Sequence, residues 1–264
     1  MSRRRFTLTA LALRTSFVLE PTPAARVVRV PNRRPILDSE TLKAILLAIP
    51  VLLFSFAAHE YAHAWAALSQ GDPTARDAGR LTLNPLKHID PWMTVLLPMM
   101  MLIGSNGRSA LGGAKPCPVD PRNYRDYRRG DIIVSLAGVT MNLFIALAAA
   151  VLVFVIGVIG RDVGAAREGL GFAQEMMGVA IQLNLLLVFF NLLPIPPLDG
   201  SHVLKHFLPP ALALSYVKVS RYGMLILLAL VTIGQPVLGW WLGPSQTLSR
   251  LLLRAVAPYF LGAA

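Results

Sequence analysis

His59-Glu60-Tyr61-Ala62-His63 puts two imidazoles and a carboxylate inside an apolar run. Fourteen uncharged residues, Ile45 to Ala58, precede it, and Ala64-Trp65-Ala66-Ala67-Leu68 follows. Residues four apart on a helix share a face, so His59 and His63 point the same way, about 6 Å apart along the axis. That separation lets both reach one zinc ion. Glu60 is one step round the helix from His59, within reach of a water on that metal. Neither Gly nor Pro interrupts the pentapeptide, so helix is its natural state. A pair of buried histidines satisfied by their neighbours is the plainer alternative. It fails on cost: ionisable side chains in hydrocarbon cost a few kcal/mol each, and three within five residues need a shared partner such as zinc.

A catalytic zinc takes three protein ligands and keeps one place for water. The other candidates are nine Asp, four further Glu, three further His and Cys117. Most sit in polar linkers, where a solvated charge is the ordinary reading. Asp199 does not. Asn191-Leu192-Leu193-Pro194-Ile195-Pro196-Pro197-Leu198-Asp199-Gly200 closes an apolar run. Its prolines break the helix, and Gly200 permits a tight turn. Broken backbone at membrane depth is tolerated only where it lines an enclosed or wet cavity. Asp199 is therefore the best-placed carboxylate, with a solvated Asp on an interfacial turn as the alternative. Cys117 is the single cysteine, which excludes an internal disulfide and a multi-cysteine metal site.

The elements that must hold these residues are helices in lipid. The 264 residues are 55% hydrophobic and 15% charged, with mean hydropathy +0.56. A soluble domain carries about 25% charge, so the solvent here includes a bilayer. The formal charge of +11 lies mostly between apolar runs, beside lipid head groups. No basic and aromatic interleaving marks a nucleic-acid partner. The expected fold is an all-α polytopic membrane bundle of about five to six segments. The first runs from Thr41 to Gln70 and ends at Gly71; from Ile45 to Leu68 it is about 36 Å long, with His59 about 13 Å before its end. Trp92 to Gly104 is short and suits a re-entrant piece. Ile132 to Gly160 spans, Met176 to Leu193 stops at the proline break, and Tyr222 to Leu242 forms the fifth. Residues 1–41 read as a basic, disordered or targeting tail, 42–243 as the membrane-embedded domain, and 244–264 as an amphipathic interfacial helix. Residues 71–131 hold nine Arg or Lys against six Asp, which places that loop in the cytoplasm. A single first span would put the basic tail on the opposite side.

His59-Glu60-Tyr61-Ala62-His63 and Asn191 to Gly200 together resemble the site-2 protease family of intramembrane zinc metalloproteases, in its small prokaryotic branch without a PDZ domain. Gly71 to Ala75, Gly79 to Pro91 and Ala114 to Val119 are similar to that branch as well, and the likeness covers about residues 42–225. It implies Zn2+ held by His59, His63 and Asp199, with Glu60 as general base. It also implies that Asn142, in Ala137-Gly138-Val139-Thr140-Met141-Asn142, holds substrate, although Val139 stands where the family has Pro. The expected substrate is a membrane-anchored protein cut in or near its transmembrane segment. The expected location is the plasma membrane, with the site toward the cytoplasm. A catalytically weak zinc-binding scaffold is an alternative that intact Glu60 disfavours. A metal transporter would need a row of ligands crossing the bilayer, and the sequence holds one cluster near one side.

Overall fold

The computed structural model describes residues 39–91, 96 and 112–261, and these are helical with no strand among them. The expected basic tail up to residue 38, and 92–104 apart from Leu96, lie outside the described residues.

Helix α1, Ser39–Gln70, runs 32 residues straight through Pro50. It stops where Gly71 takes φ 111°, a left-handed conformation that strains any side chain. The Gly71 and Asp72 N–H groups donate back to the Leu68 and Ala67 carbonyls at 3.1 and 2.9 Å, which satisfies the open end of the helix. A single turn, α2 (Thr74–Asp77), and a 3-10 turn (Pro85–Lys87) follow. Helix α3 is Tyr127–Ile159, its first turn capped by the Asp126 carboxylate accepting from the Arg129 N–H at 2.8 Å. Then come α4 (Arg167–Asn191), α5 (Asp199–Lys205), α6 (Pro210–Val219), α7 (Gly223–Thr232) and α8 (Gln235–Val256).

Helices α1, α3 and α4 pack on one another. Their shared core is built from small residues, Ala146, Ala149, Ala150 and Ala180, around Val51, Val153, Ile181 and Leu185. Without a hydrophobic drive between helices in lipid, close backbone approach over small side chains supplies the attraction. The outer face of α3 is the reverse: Phe144, Val151 and Ile159 are each at least 60% exposed. So much exposed apolar surface suits a hydrocarbon solvent and not water. Among the described residues, four helical stretches are long and apolar enough to cross a membrane: Leu42–Gln70, Tyr127–Asp162, Arg167–Asn191 and Pro210–Thr232.

The fifth expected run is placed differently. It breaks after Thr232, and the crossing stretch begins back at Pro210. Pro236 has no N–H to continue the preceding helix and is suited to a helix start, so α8 begins there. The expected interfacial helix is the second half of α8. Its Leu248, Leu252, Leu253 and Val256 pack against α3 and α4. Buried Gln174 ties down the segment beyond it, donating to the Val153 and Tyr259 carbonyls at 2.9 and 2.8 Å and accepting from the Leu261 N–H at 2.8 Å.

Candidate metal centre

One stripe of α1 is polar at four-residue spacing: Ser55, His59 and His63. Each meets a polar group of another helix. The Asn184 amide donates to Ser55 Oγ at 2.9 Å. His63 Nδ1–H donates to the Val134 carbonyl at 2.7 Å, which leaves Nε2 with a free lone pair. The Asn142 amide lies 3.1 Å from His59 Nδ1.

The two Nε2 atoms converge at 2.9 Å. Asp199, the first residue of α5, approaches from the other side. Its Oδ2 is 3.2 Å from His59 Nε2 and its Oδ1 is 3.4 Å from His63 Nε2. Tetrahedral zinc ligands at bonds of about 2.0–2.1 Å stand roughly 3.3 Å apart; the two separations to Asp199 lie at that edge and the imidazole pair is somewhat closer. Asp199 Oδ2 is buried without a hydrogen-bond partner, a state a carboxylate avoids unless a cation completes it. Among the described residues this is the one group of three or more such side chains placed to hold a metal.

Two further features set the ligands. Gly138 of α3 lies against both imidazoles: a methyl group on it would stand 2.5 Å from His59 Nε2 and 2.6 Å from His63 Nε2. Asp131, near the start of α3 and buried, holds α5. It accepts from Lys205 Nζ and His206 Nε2–H, each at 2.7 Å, and His202 Nδ1 is 3.7 Å away. Three side chains at helical spacing thus clasp one carboxylate and fix the helix that begins with Asp199. Sequence reasoning assigned neither residue a role. The sequence signals were the Gly inside the quoted motif and the His202-x-x-Lys205-His206 spacing.

Glu60 faces a cavity of about 510 Å³, lined by His59, His63, Asp199 and apolar residues such as Phe56, Phe190, Met224 and Leu227. Its Oε2 accepts the Cys117 N–H at 2.6 Å. The Cys117 side chain is buried, and burial followed by the Glu60 charge pushes its thiol up to about 12, so it is neutral near pH 7. Asn142 is fully buried. Helix α3 runs unbroken through Val139, so the valine does not turn Asn142 away from His59.

Comparison with known proteins gives the same chemistry. The model of peptidase family M50 matches residues 156–233, a stretch that includes Asp199. YwhC of Bacillus subtilis, named as a candidate zinc metalloprotease, is 38% identical over 180 residues, covering 68% of this chain and 77% of that protein. Rip2 of Mycolicibacterium smegmatis, named likewise, is 32% identical over 200 residues, covering 74% and 70%. Rip2 of Mycobacterium tuberculosis strain H37Rv is 31% identical over 201 residues, covering 75% and 71%. No solved structure matches the chain at a comparable level. A zinc-shaped ligand triangle inside an all-helical membrane bundle, and relatives named for zinc-dependent proteolysis, meet in one assignment: the chain belongs to the site-2 protease family, peptidase family M50, and is a zinc metalloprotease.

Proposed function

We propose that this enzyme hydrolyses peptide bonds in or near the transmembrane segments of membrane-anchored proteins. His59, His63 and Asp199 would hold the zinc and Glu60 would act as general base. One observation carries the reading. The ligand triangle and Glu60 open on the same largely apolar cavity, and His59, Glu60 and His63 sit in a helix long enough to span. His59 lies eleven residues, about 16 Å of helix, before the end of α1. A soluble substrate loop has little reason to reach that depth, whereas a membrane segment is already there.

Bound zinc supplies Lewis acidity toward the scissile carbonyl and toward water. Glu60 takes the proton of the attacking water and delivers it to the leaving amine. For His59 to present the Nε2 lone pair to zinc, its Nδ1 must carry the proton and needs an acceptor. Asn142 provides one when its amide is read with Oδ1 toward the ring, an assignment isosteric with the reverse. The NH2 group of Asn142 is then left to donate to a substrate carbonyl. The basic excess of the loop after α1 supports a site toward the cytoplasm.

The test compares membrane proteomes of cells carrying the native chain or Glu60→Gln. Membrane-anchored precursors accumulate with Glu60→Gln, and the purified variant keeps its zinc. A Glu60→Gln protein that cleaves at the native rate removes the proposed base.

A further inference from the structure

Pro116 and Cys117 line the cavity, and the two prolines of Pro116-Cys117-Pro118 have no N–H to give. Each proline also biases the residue before it toward extended backbone. Across 116–118 the chain therefore offers one donor, the Cys117 N–H. That donor meets Glu60 Oε2 at 2.6 Å.

We propose that the backbone N–H of Cys117 positions the Glu60 carboxylate for catalysis, and that the flanking prolines serve to aim it. The proposal rests on the reading of Glu60 as general base. With Oε2 engaged, Oε1 is left to face the attacking water. The segment is fixed at both ends, so the donor is held and not merely nearby. On one side the Lys115 N–H donates to the His88 carbonyl at 2.8 Å, and Arg80 donates to the Lys115 carbonyl at 3.2 Å. On the other side the Asp120 N–H donates to Asp72 Oδ2 at 2.7 Å. Asp72 lies two residues beyond the end of α1 and also accepts from the Thr74 N–H and the Asn123 amide. The donor and the helix that carries Glu60 are thus tied to one another through the loop. The Cys117 thiol has no part in this. It packs with Ala64 and Ala75, a site that alanine would also fill.

The experiment uses the full chain in liposomes with a membrane-anchored reporter substrate. Nonsense suppression places lactic acid at position 117, so that the amide becomes an ester and the N–H is lost while the shape is kept. Cys117→Ala retains the N–H and is the control. The ester form loses about tenfold or more in kcat with KM and zinc content unchanged, and Cys117→Ala stays within about twofold of native. In zinc-free protein, the Glu60 carboxylate stretch, identified by its disappearance in Glu60→Gln, shifts in the ester form and not in Cys117→Ala. Pro118→Ala, a natural chain with a less constrained donor, gives a smaller kcat loss at native zinc content. Native kcat in the ester form or in Pro118→Ala overturns the proposal. An equal loss in Cys117→Ala overturns it too, and a gain in the ester form would show the amide to be a plug. If instead Glu60→Gln cleaves normally, it is the base assignment that falls.

Discussion

Gly138→Ala tests whether the imidazoles are held where zinc needs them. The added methyl would stand 2.5 Å from His59 Cε1 and Nε2 and 2.6 Å from His63 Nε2. Non-bonded heavy atoms settle near 3.5–4.0 Å, so each ring must retreat by about 1 Å. Metal–ligand bonds tolerate only about 0.2 Å. The displacement therefore exceeds what the site can absorb, and it acts on the two ligand atoms themselves. Overpacking of this kind costs roughly 1–3 kcal/mol of stability, a smaller loss than unfolding requires. The expected outcome is a folded protein whose zinc affinity is at least about 100-fold weaker and whose proteolysis is lost. Metal analysis after dialysis against a weak chelator, thermal unfolding and reporter cleavage measure the three parts. Gly178→Ala is the control, because its nearest neighbours would be Phe260 Cζ at 3.7 Å and Leu253 Cδ2 at 3.8 Å, ordinary contacts. A Gly138→Ala enzyme with native zinc content and rate would falsify the packing argument.

Asn142→Ala lowers zinc affinity about 10–100-fold in a chelator-dye competition, and Asn142→Asp recovers most of it by restoring an acceptor for His59 Nδ1–H; equal affinity in all three forms would sink this role. Asp131→Asn leaves Lys205 without its counter-charge beside a side chain only 5% exposed, so thermal unfolding in detergent should register a loss of about 3 kcal/mol, part of which Lys205→Met restores. Burial alone would raise the Asp72 carboxyl, but the Thr74 hydroxyl, the Asn123 amide and the Asp120 and Thr74 N–H groups outweigh it and hold the carboxyl below its ordinary value. A depressed folded-state value stabilises above the unfolded value of about 3.9 and is lost as pH falls through the folded one. The stability gap between native protein and Asp72→Ala should therefore narrow below about pH 4, and a gap that widens there would contradict the assignment.

What the sequence made legible was local. His59 and His63 share a face because four residues is near one helical turn, and no tertiary information is needed to say so. Asp199 was legible because prolines at the end of an apolar run are costly unless something requires the break. The contacts that tune the site were not legible, since they join segments far apart in the chain. Asp131 meets Lys205 and His206 more than seventy residues on, and Glu60 meets Cys117 across 57. Gly138 shows in the sequence only as the glycine of the quoted motif, and nothing local says that the space beside it is taken by two imidazoles. The fifth helix was misplaced for a different reason. Leu, Ile and Val continue across Thr232, so hydropathy alone runs past the Gly234-Gln235-Pro236 stop that the backbone obeys.

The break before Asp199 and the depth of the site have one physical cause. Leu192 to Leu198 lie outside any α-helix, and such backbone in hydrocarbon leaves polar groups that cost several kcal/mol each. Pro197, Leu198 and Asp199 line the 510 Å³ cavity, which at about 30 Å³ per molecule has room for a dozen or more waters. Water admitted to that cavity would solvate the broken backbone and would also be the second substrate of hydrolysis. On the proposed reading it would also lower the cost of unwinding a substrate helix, since an amide freed in lipid forfeits about 4–6 kcal/mol and one freed beside water forfeits far less. A site nearer the bilayer centre would lose that water, and a site outside the bilayer would lose the membrane segment proposed as substrate. His59, about 16 Å from the end of α1, stands between those two failures.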